Sequence, residues 1–248
     1  MKVVVTPEYA HRTDFIRSIP TRGRLDGTVL ADNRNILTRI DIDGEKWVVK
    51  QFKCPTAFNR VVYTCFRKTK AARAYLNAER LAEMGYATAQ PIAYIEQSRY
   101  GIFHTGYYIC EWLPYEVLSR IDEHPQAEQS EILYSLAAFT VDMHLHGIYF
   151  YDFNVGNIMF RKDAGQWKFA LIDINRMKFY RYPLIREQSV QVLKCLNLNP
   201  QQTGYFLSQY ARLRGWNWKI LNGAVLIKQG VNLKVRIRRL LKKILHIG

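Results

Sequence analysis

Cysteine is scarce: there are four, Cys54, Cys65, Cys110 and Cys195, and no C-x-x-C pair. Such spacing excludes a zinc-finger ligand set and a disulfide framework, and suggests reduced, mostly buried thiols. No apolar run approaches the roughly 20 residues needed to span a bilayer. Met1–Tyr9 lacks the apolar core of a signal peptide, so a cytoplasmic location is expected. No G-x-G-x-x-G loop precedes the apolar strand around Lys50, and neither an internal repeat nor a low-complexity linker is present. Acid is missing from the C-terminal quarter: beyond Glu187 there are eleven Lys or Arg and no Asp or Glu. The first 187 residues hold the other 25 basic and all 21 acidic residues, so most of the net charge of +15 lies in that last quarter. A block of this kind points to a polyanionic partner.

What is present is a globular composition, 48% apolar over 248 residues,. Short β-prone runs at Thr28–Ala31, Asn35–Ile42 and Trp47–Lys53 surround an Asp43-Gly44 turn and predict an antiparallel sheet. Helix formers over Ala71–Met84 end at Gly85. Pro91–Ile95 and Gly106–Glu111 read as strands, Glu128–His144 as a long amphipathic helix, and Trp167–Asp173 as a strand; the remainder reads as mostly helical. The order predicts an α+β, two-lobed protein-kinase-like fold. Residues 1–112 form an N-lobe of antiparallel sheet plus one helix. Residues 113–230 form a mostly helical C-lobe with the catalytic and metal loops, and 231–248 a basic amphipathic helix.

Four features stand in the order that phosphoryl transfer needs. Lys50, inside the apolar strand V-V-K, is costly there unless its ammonium meets an anion such as the α/β-phosphates of ATP. Asp152 and Asn157 lie five apart in HGIYFYDFNVGNIMF. That is the spacing of a loop whose Asp handles the acceptor hydroxyl and whose Asn binds Mg²⁺. Asp173 ends the strand FALID and is expected as the main Mg²⁺ ligand. The run YYICEWL, Tyr107 to Leu113, occupies the hinge position, so Val48, Glu111 and Leu113 are expected around the adenine. Asn175 and Arg176 would shape the metal loop or meet substrate phosphate. His144 and His146, at a helix end, read as structural.

The runs WVVKQFK, KAARAYLNAERLAEMGYATAQPIAYIE, HGIYFYDFNVGNIMF and FALIDINRMKF resemble the lipopolysaccharide kinase (Kdo/WaaP) family over about residues 28–180. Asp-Ile-Asn-Arg at Asp173–Arg176 stands where other kinases carry Asp-Phe-Gly. The resemblance implies an ATP- and Mg²⁺-dependent kinase acting on a Kdo or heptose sugar of the lipopolysaccharide core, at the inner leaflet of the inner membrane. Three positions depart from the pattern. Phe150-Tyr151-Asp152 replaces His-x-Asp. The carboxylate that should pair with Lys50 falls near Leu76 or Asn77, and Glu79 is the nearest acid. The turn Ala31–Asn35, with Arg34, would cover the phosphates in place of a glycine-rich loop.

In the last segment Leu233, Ile237, Leu240, Leu241 and Ile244 recur at helical spacing among six Lys or Arg. Such a helix suits an anionic inner-membrane surface, as a peripheral anchor, or packs on the lobe with a solvated basic side. Two other functions compete with the kinase reading. A pseudokinase or binding module would keep the fold without turnover, and a protein or small-molecule hydroxyl would replace the glycolipid acceptor. The charge alone would suit nucleic acid, but no nucleic-acid motif accompanies it and no such partner is expected.

Overall fold

The computed structural model describes residues 1–23, 25–32, 35–227 and 230. The helix expected over 231–248 and the expected phosphate-covering Arg34 lie outside the described residues. The chain divides into two compact units, Met1–Pro114 with Ala170–Arg176, and Tyr115–Phe169 with the described residues from Met177 onward.

The first unit contains β1 (Lys2–Val5), α1 (Thr13–Ser18), β2 (Thr28–Asp32), β3 (Asn35–Ile42), β4 (Glu45–Phe52), α2 (Ala57–Cys65), α3 (Lys70–Glu83), β5 (Ala87–Thr88), β6 (Pro91–Arg99) and β7 (Ile102–Glu111). Six strands form an antiparallel sheet in the order β1-β6-β7-β4-β3-β2. The β3–β4 hairpin turns at Asp43 (φ 52°) and Gly44 (φ 88°), where the Gly44 amide donates to Asp41 Oδ1 at 3.0 Å. Asp-Gly tolerates two consecutive positive φ values, which this tight turn requires.

Strand alternation divides the sheet's side chains between two cores. Trp47 and Val49 of β4 join Ile92, Ile95 and Ile109 against Tyr9, Ile16 and Ile19. Phe52, with Tyr94, Tyr108 and Cys110, joins Ala71, Ala72, Ala74 and Tyr75 of α3. Alternation therefore puts Lys50 on the same side of the sheet as α3. Helix α3 begins at Thr69, whose Oγ1 accepts from the Ala72 amide (3.1 Å) and donates to Glu96 (2.7 Å), capping the first turn. The elements β1, α1 and α2 lie where the sequence pattern predicts none.

The second unit contains β8 (Glu116–Val117), α4 (Gln126–Leu145), β9 (Ile148–Phe150), β10 (Ile158–Asp163), most of β11 (Gln166–Leu171), β12 (Met177–Phe179), α5 (Arg186–Leu193) and α6 (Pro200–Arg214). Residues 218–227 are also helical. Helix α4 packs against α6, and Gln202 Nε2 donates to Asp122 Oδ1 (2.7 Å) and Gln129 Oε1 (3.0 Å). After α4 the chain turns at Gly147, φ 73°, where a Cβ would lie 2.4 Å from the Tyr180 carbonyl oxygen; only glycine fits. Among the described residues no helix is long and apolar enough to cross a membrane.

His144 is fully buried near the end of α4, with its Nδ1 and the Tyr210 hydroxyl sharing a hydrogen bond at 2.7 Å. Burial, and then the nearby Arg214, push its pKa down to about 3. The unfolded chain binds a proton at this side chain near pH 6.5, whereas the folded chain does so only near 3. Stability from this group is therefore complete above pH 6.5 and falls as pH drops toward 3, by up to about 1.4 kcal/mol per pH unit. His144→Gln is expected to flatten that acid limb, as measured by urea unfolding across the window.

Candidate active site

In the first unit the candidate site is built on β4 and the end of β11. Ala170 and Leu171 pair in parallel with Ala87 and Thr88 of β5, and Thr88 Oγ1 donates to the Leu171 carbonyl at 2.6 Å. The strand then releases Asp173 in the left-handed region, φ 54°. A short polar side chain is among the few that accept this conformation. Lys50 Nζ donates to Asp173 Oδ1 at 2.5 Å, and Asn175 Nδ2 donates to the same oxygen at 2.7 Å. Asn77 Nδ2 of α3 donates to the Ile174 carbonyl at 2.7 Å. The Asp173 loop is thus held from β4, from α3 and from within itself.

Glu79 does not pair with Lys50. The Lys50 ammonium forms its ion pair with Asp173, while Glu79 lies beside the Tyr75 hydroxyl. Asn77, at the position the family's carboxylate occupies, bonds the backbone of the metal loop instead. A shift of two residues on a helix turns a side chain by more than half a revolution, which separates these two roles.

Cations gather around Asp173. Burial of its ammonium lowers the pKa of Lys70, and Arg73, Lys50 and Arg176 act in the same direction, with Asp173 opposing. Burial likewise lowers Arg73, followed by Arg67 and Arg176. Four basic groups close to one carboxylate make a surface suited to a polyanion.

At the hinge position, Val48 pairs with Cys110, and Trp47 with Glu111. The Glu111 amide donates to the Gln90 carbonyl at 2.9 Å and the Trp112 amide to the Lys46 carbonyl at 2.7 Å. The Tyr9 hydroxyl donates to the Glu111 carboxylate. Val48 and Leu113 are half-buried. Burial pushes the Cys110 thiol up to about 12, so it is a packing residue.

In the second unit Asp152 follows β9. Asn154 Nδ2 and Asn157 Nδ2 each donate to the Asp152 carbonyl at 2.9 Å, and Asn154 Oδ1 accepts from the Gly156 amide at 2.9 Å. The two asparagines close the loop into a compact turn. With its amide nitrogen engaged this way, Asn157 keeps Oδ1 for a hard cation. Phe150 and Phe153 are fully buried and meet edge-on at 6.1 Å. Phe150 also pairs in strand register with Met177 of β12. Apolar packing therefore seats the loop where the family's pattern has a histidine.

The donor chemistry fits Mg²⁺. This ion takes one or two protein oxygen ligands and completes its shell with phosphates and water. Among the described residues no group of three or more His, Cys, Asp or Glu forms, as expected for such a site. Both protein bonds to the Asp173 carboxylate go to Oδ1.

Sequence patterning does not single out Tyr9, Asn77, Asn154, Lys70 or Arg73. Of these only Asn154 carries a local signal, the Asn-x-Gly of a side-chain-capped turn.

The family model described as "Lipopolysaccharide kinase (Kdo/WaaP) family" matches residues 11–196. No curated protein matches the sequence. Among solved structures, the chain is similar to "WaaP in complex with acyl carrier protein", at 16% identity over 94% of this chain and 98% of that one, with a TM-score of 0.62. It is also similar to the Rio2 kinase–ADP/Mg²⁺–phosphoaspartate complex from Chaetomium thermophilum, at 15% identity over 96% and 78%, with a TM-score of 0.50. These likenesses show the fold to be protein-kinase-like, as the order of elements predicts.

Proposed function

The chain belongs to the lipopolysaccharide kinase (Kdo/WaaP) family, phosphotransferases with an alcohol group as acceptor, and from that premise we propose that it moves the γ-phosphate of ATP to a Kdo or heptose hydroxyl of the lipopolysaccharide inner core. The observation that carries this reading is the Lys50–Asp173 pair. Two residues 123 apart in sequence meet at 2.5 Å, and both are the residues that the order of motifs selects for phosphate and metal.

In this reading Lys50 meets the α/β-phosphates, while Lys70 and Arg73 extend the positive field. Val48 and Leu113 flank the adenine, and the backbone at Glu111 meets its edge. Asp173 and the Asn157 amide oxygen hold Mg²⁺, which when bound neutralises charge on the transferring phosphoryl group. Asp152 accepts and orients the proton of the acceptor hydroxyl. Lys50 takes its orientation from Asp173 rather than from a helix carboxylate.

The test is γ-phosphate transfer from labelled ATP to purified core lipopolysaccharide, with the product mapped by mass. Phe150 in the catalytic loop and the separation of Glu79 from Lys50 favour one second reading, a nucleotide-binding pseudokinase. Mg²⁺-dependent ATP binding without transfer to the glycolipid, a protein or a small alcohol would establish that reading instead.

We place the enzyme on the cytoplasmic face of the inner membrane as a peripheral protein. The last 18 residues carry six Lys or Arg and no acid, and such residues are worth about 1 kcal/mol each near an anionic leaflet. Truncation after Gly230 is expected to weaken binding to anionic vesicles at least about tenfold and to leave ATP affinity unchanged. Co-sedimentation and melting curves check this, and a collapsed melting temperature with unchanged vesicle binding would refute it.

A further inference from the structure

Helix α2 turns its polar side inward and its apolar side to solvent. Arg60 Nε donates to the Phe103 carbonyl (2.9 Å), Thr64 Oγ1 accepts from the Phe103 amide (2.9 Å), and Tyr63 meets the Phe103 ring edge-on at 5.7 Å. Arg60, Tyr63 and Thr64 stand at i, i+3 and i+4, so one side of α2 is fastened to β7. Phe58, Val61, Val62 and Cys65 repeat at i, i+3, i+4 and i+7 and lie on the opposite side. No residue of α2 is buried. Phe58 is 77% exposed, Val61 47%, and Phe66, next to the helix end, 84%. A surface helix ordinarily turns its apolar stripe to the core, and a contiguous apolar surface left outside marks a contact.

The surrounding charge selects the contact. From Lys53 to Lys70 the chain carries Lys53, Arg60, Arg67, Lys68 and Lys70 and no acid. A second copy of the same surface would bring five cations against five, so self-association is disfavoured. An exposed apolar stripe among basic residues is the pattern of an interfacial helix on an anionic bilayer.

We propose that α2 docks on an anionic lipid surface, with Phe58, Val61 and Phe66 at the boundary between headgroups and acyl chains and the basic residues of 53–70 against the headgroups. The choice of lipid over an acidic protein rests on the proposed acceptor being membrane-anchored. The docking is a second attachment, distinct from the C-terminal basic segment. Helix α2 lies immediately before α3, where Lys70 and Arg73 carry the positive surface on toward Asp173.

The test uses the full chain with Cys54→Ser and Cys195→Ser and an environment-sensitive nitrobenzoxadiazole on Cys65, which sits on the apolar stripe. The vesicles are phosphatidylcholine containing about a third phosphatidylglycerol, against phosphatidylcholine alone. They hold no glycolipid and no ATP, so the result is independent of phosphate transfer. The expected result is a blue shift on anionic vesicles only, with quenching by lipids that carry a nitroxide near the headgroup. The unlabelled Phe58→Ser/Phe66→Ser variant should keep its melting temperature and lose about tenfold in vesicle affinity. Co-sedimentation without a blue shift would overturn the proposal, since the C-terminal segment would then act alone. So would a blue shift produced by purified acyl carrier protein and not by vesicles, or one that tracks protein concentration without lipid.

Discussion

Asp152→Ala is expected to lower kcat by about 10²–10⁴ while ATP affinity changes little. The proposed task of Asp152 is confined to the acceptor hydroxyl, whose proton it takes up as the bond to phosphorus forms. The substitution leaves intact the hydrogen bonds that shape the loop, because Asn154 and Asn157 bond the Asp152 carbonyl rather than its carboxylate. The buried Phe150 and Phe153 also remain in place. A loss of transfer would therefore report chemistry rather than a collapsed loop. Single-turnover transfer with purified protein, alongside calorimetric ATP binding, makes the measurement; turnover like that of the wild type would remove Asp152 from its role.

Asp173→Asn should weaken Mg²⁺-dependent ATP binding by about a hundredfold or more, with Asn157→Ala acting in the same direction and less strongly. The comparison is clean because asparagine accepts the left-handed backbone at this position as readily as aspartate, so shape is kept while the charge goes. A neutral amide is a poor ligand for a hard cation. The same change removes the counter-ion of Lys50, which then enters the phosphate field unpaired. Binding of ATP without Mg²⁺ should consequently fall far less than binding with it. Equal Mg²⁺-ATP affinities for the two proteins, by calorimetry, would refute the assignment.

The residues that follow from strand alternation and motif spacing are legible in the sequence itself. Lys50 lies on an apolar strand at the required phase, Asp152 and Asn157 are five apart, and Asp173 ends a strand. Each depends on local chain geometry, which periodicity reports. The partner of Lys50 is not legible in this way. Whether Asn77 or Glu79 faces the Asp173 loop depends on how α3 is rotated against the sheet, a tertiary matter settled by Ala71, Ala74, Tyr75 and Ala78 in the core. Helix α2 is hidden for a different reason. Nine residues give little periodic signal, and their apolar stripe does not belong to the core that hydrophobic patterning is used to find. The β1 strand, Lys2–Val5, gains its place only by pairing with β6, residues 93–96.

The assignment of Ala170–Arg176 to the first unit bears on how the protein is made. A ribosome delivers residues 1–114 long before it delivers residue 170. During that interval Ala87 and Thr88 have no strand to pair with, Lys50 has no carboxylate, and Asn77 has no carbonyl to meet. The nascent N-terminal unit must wait with a charged side chain and an open edge while most of the second unit is translated. Its closure therefore reports on the arrival of a segment of seven residues. A gene cut at Pro114 would encode a first half that cannot finish its own fold, and coexpression of the two halves could restore it only if Ala170–Arg176 were supplied from the other fragment.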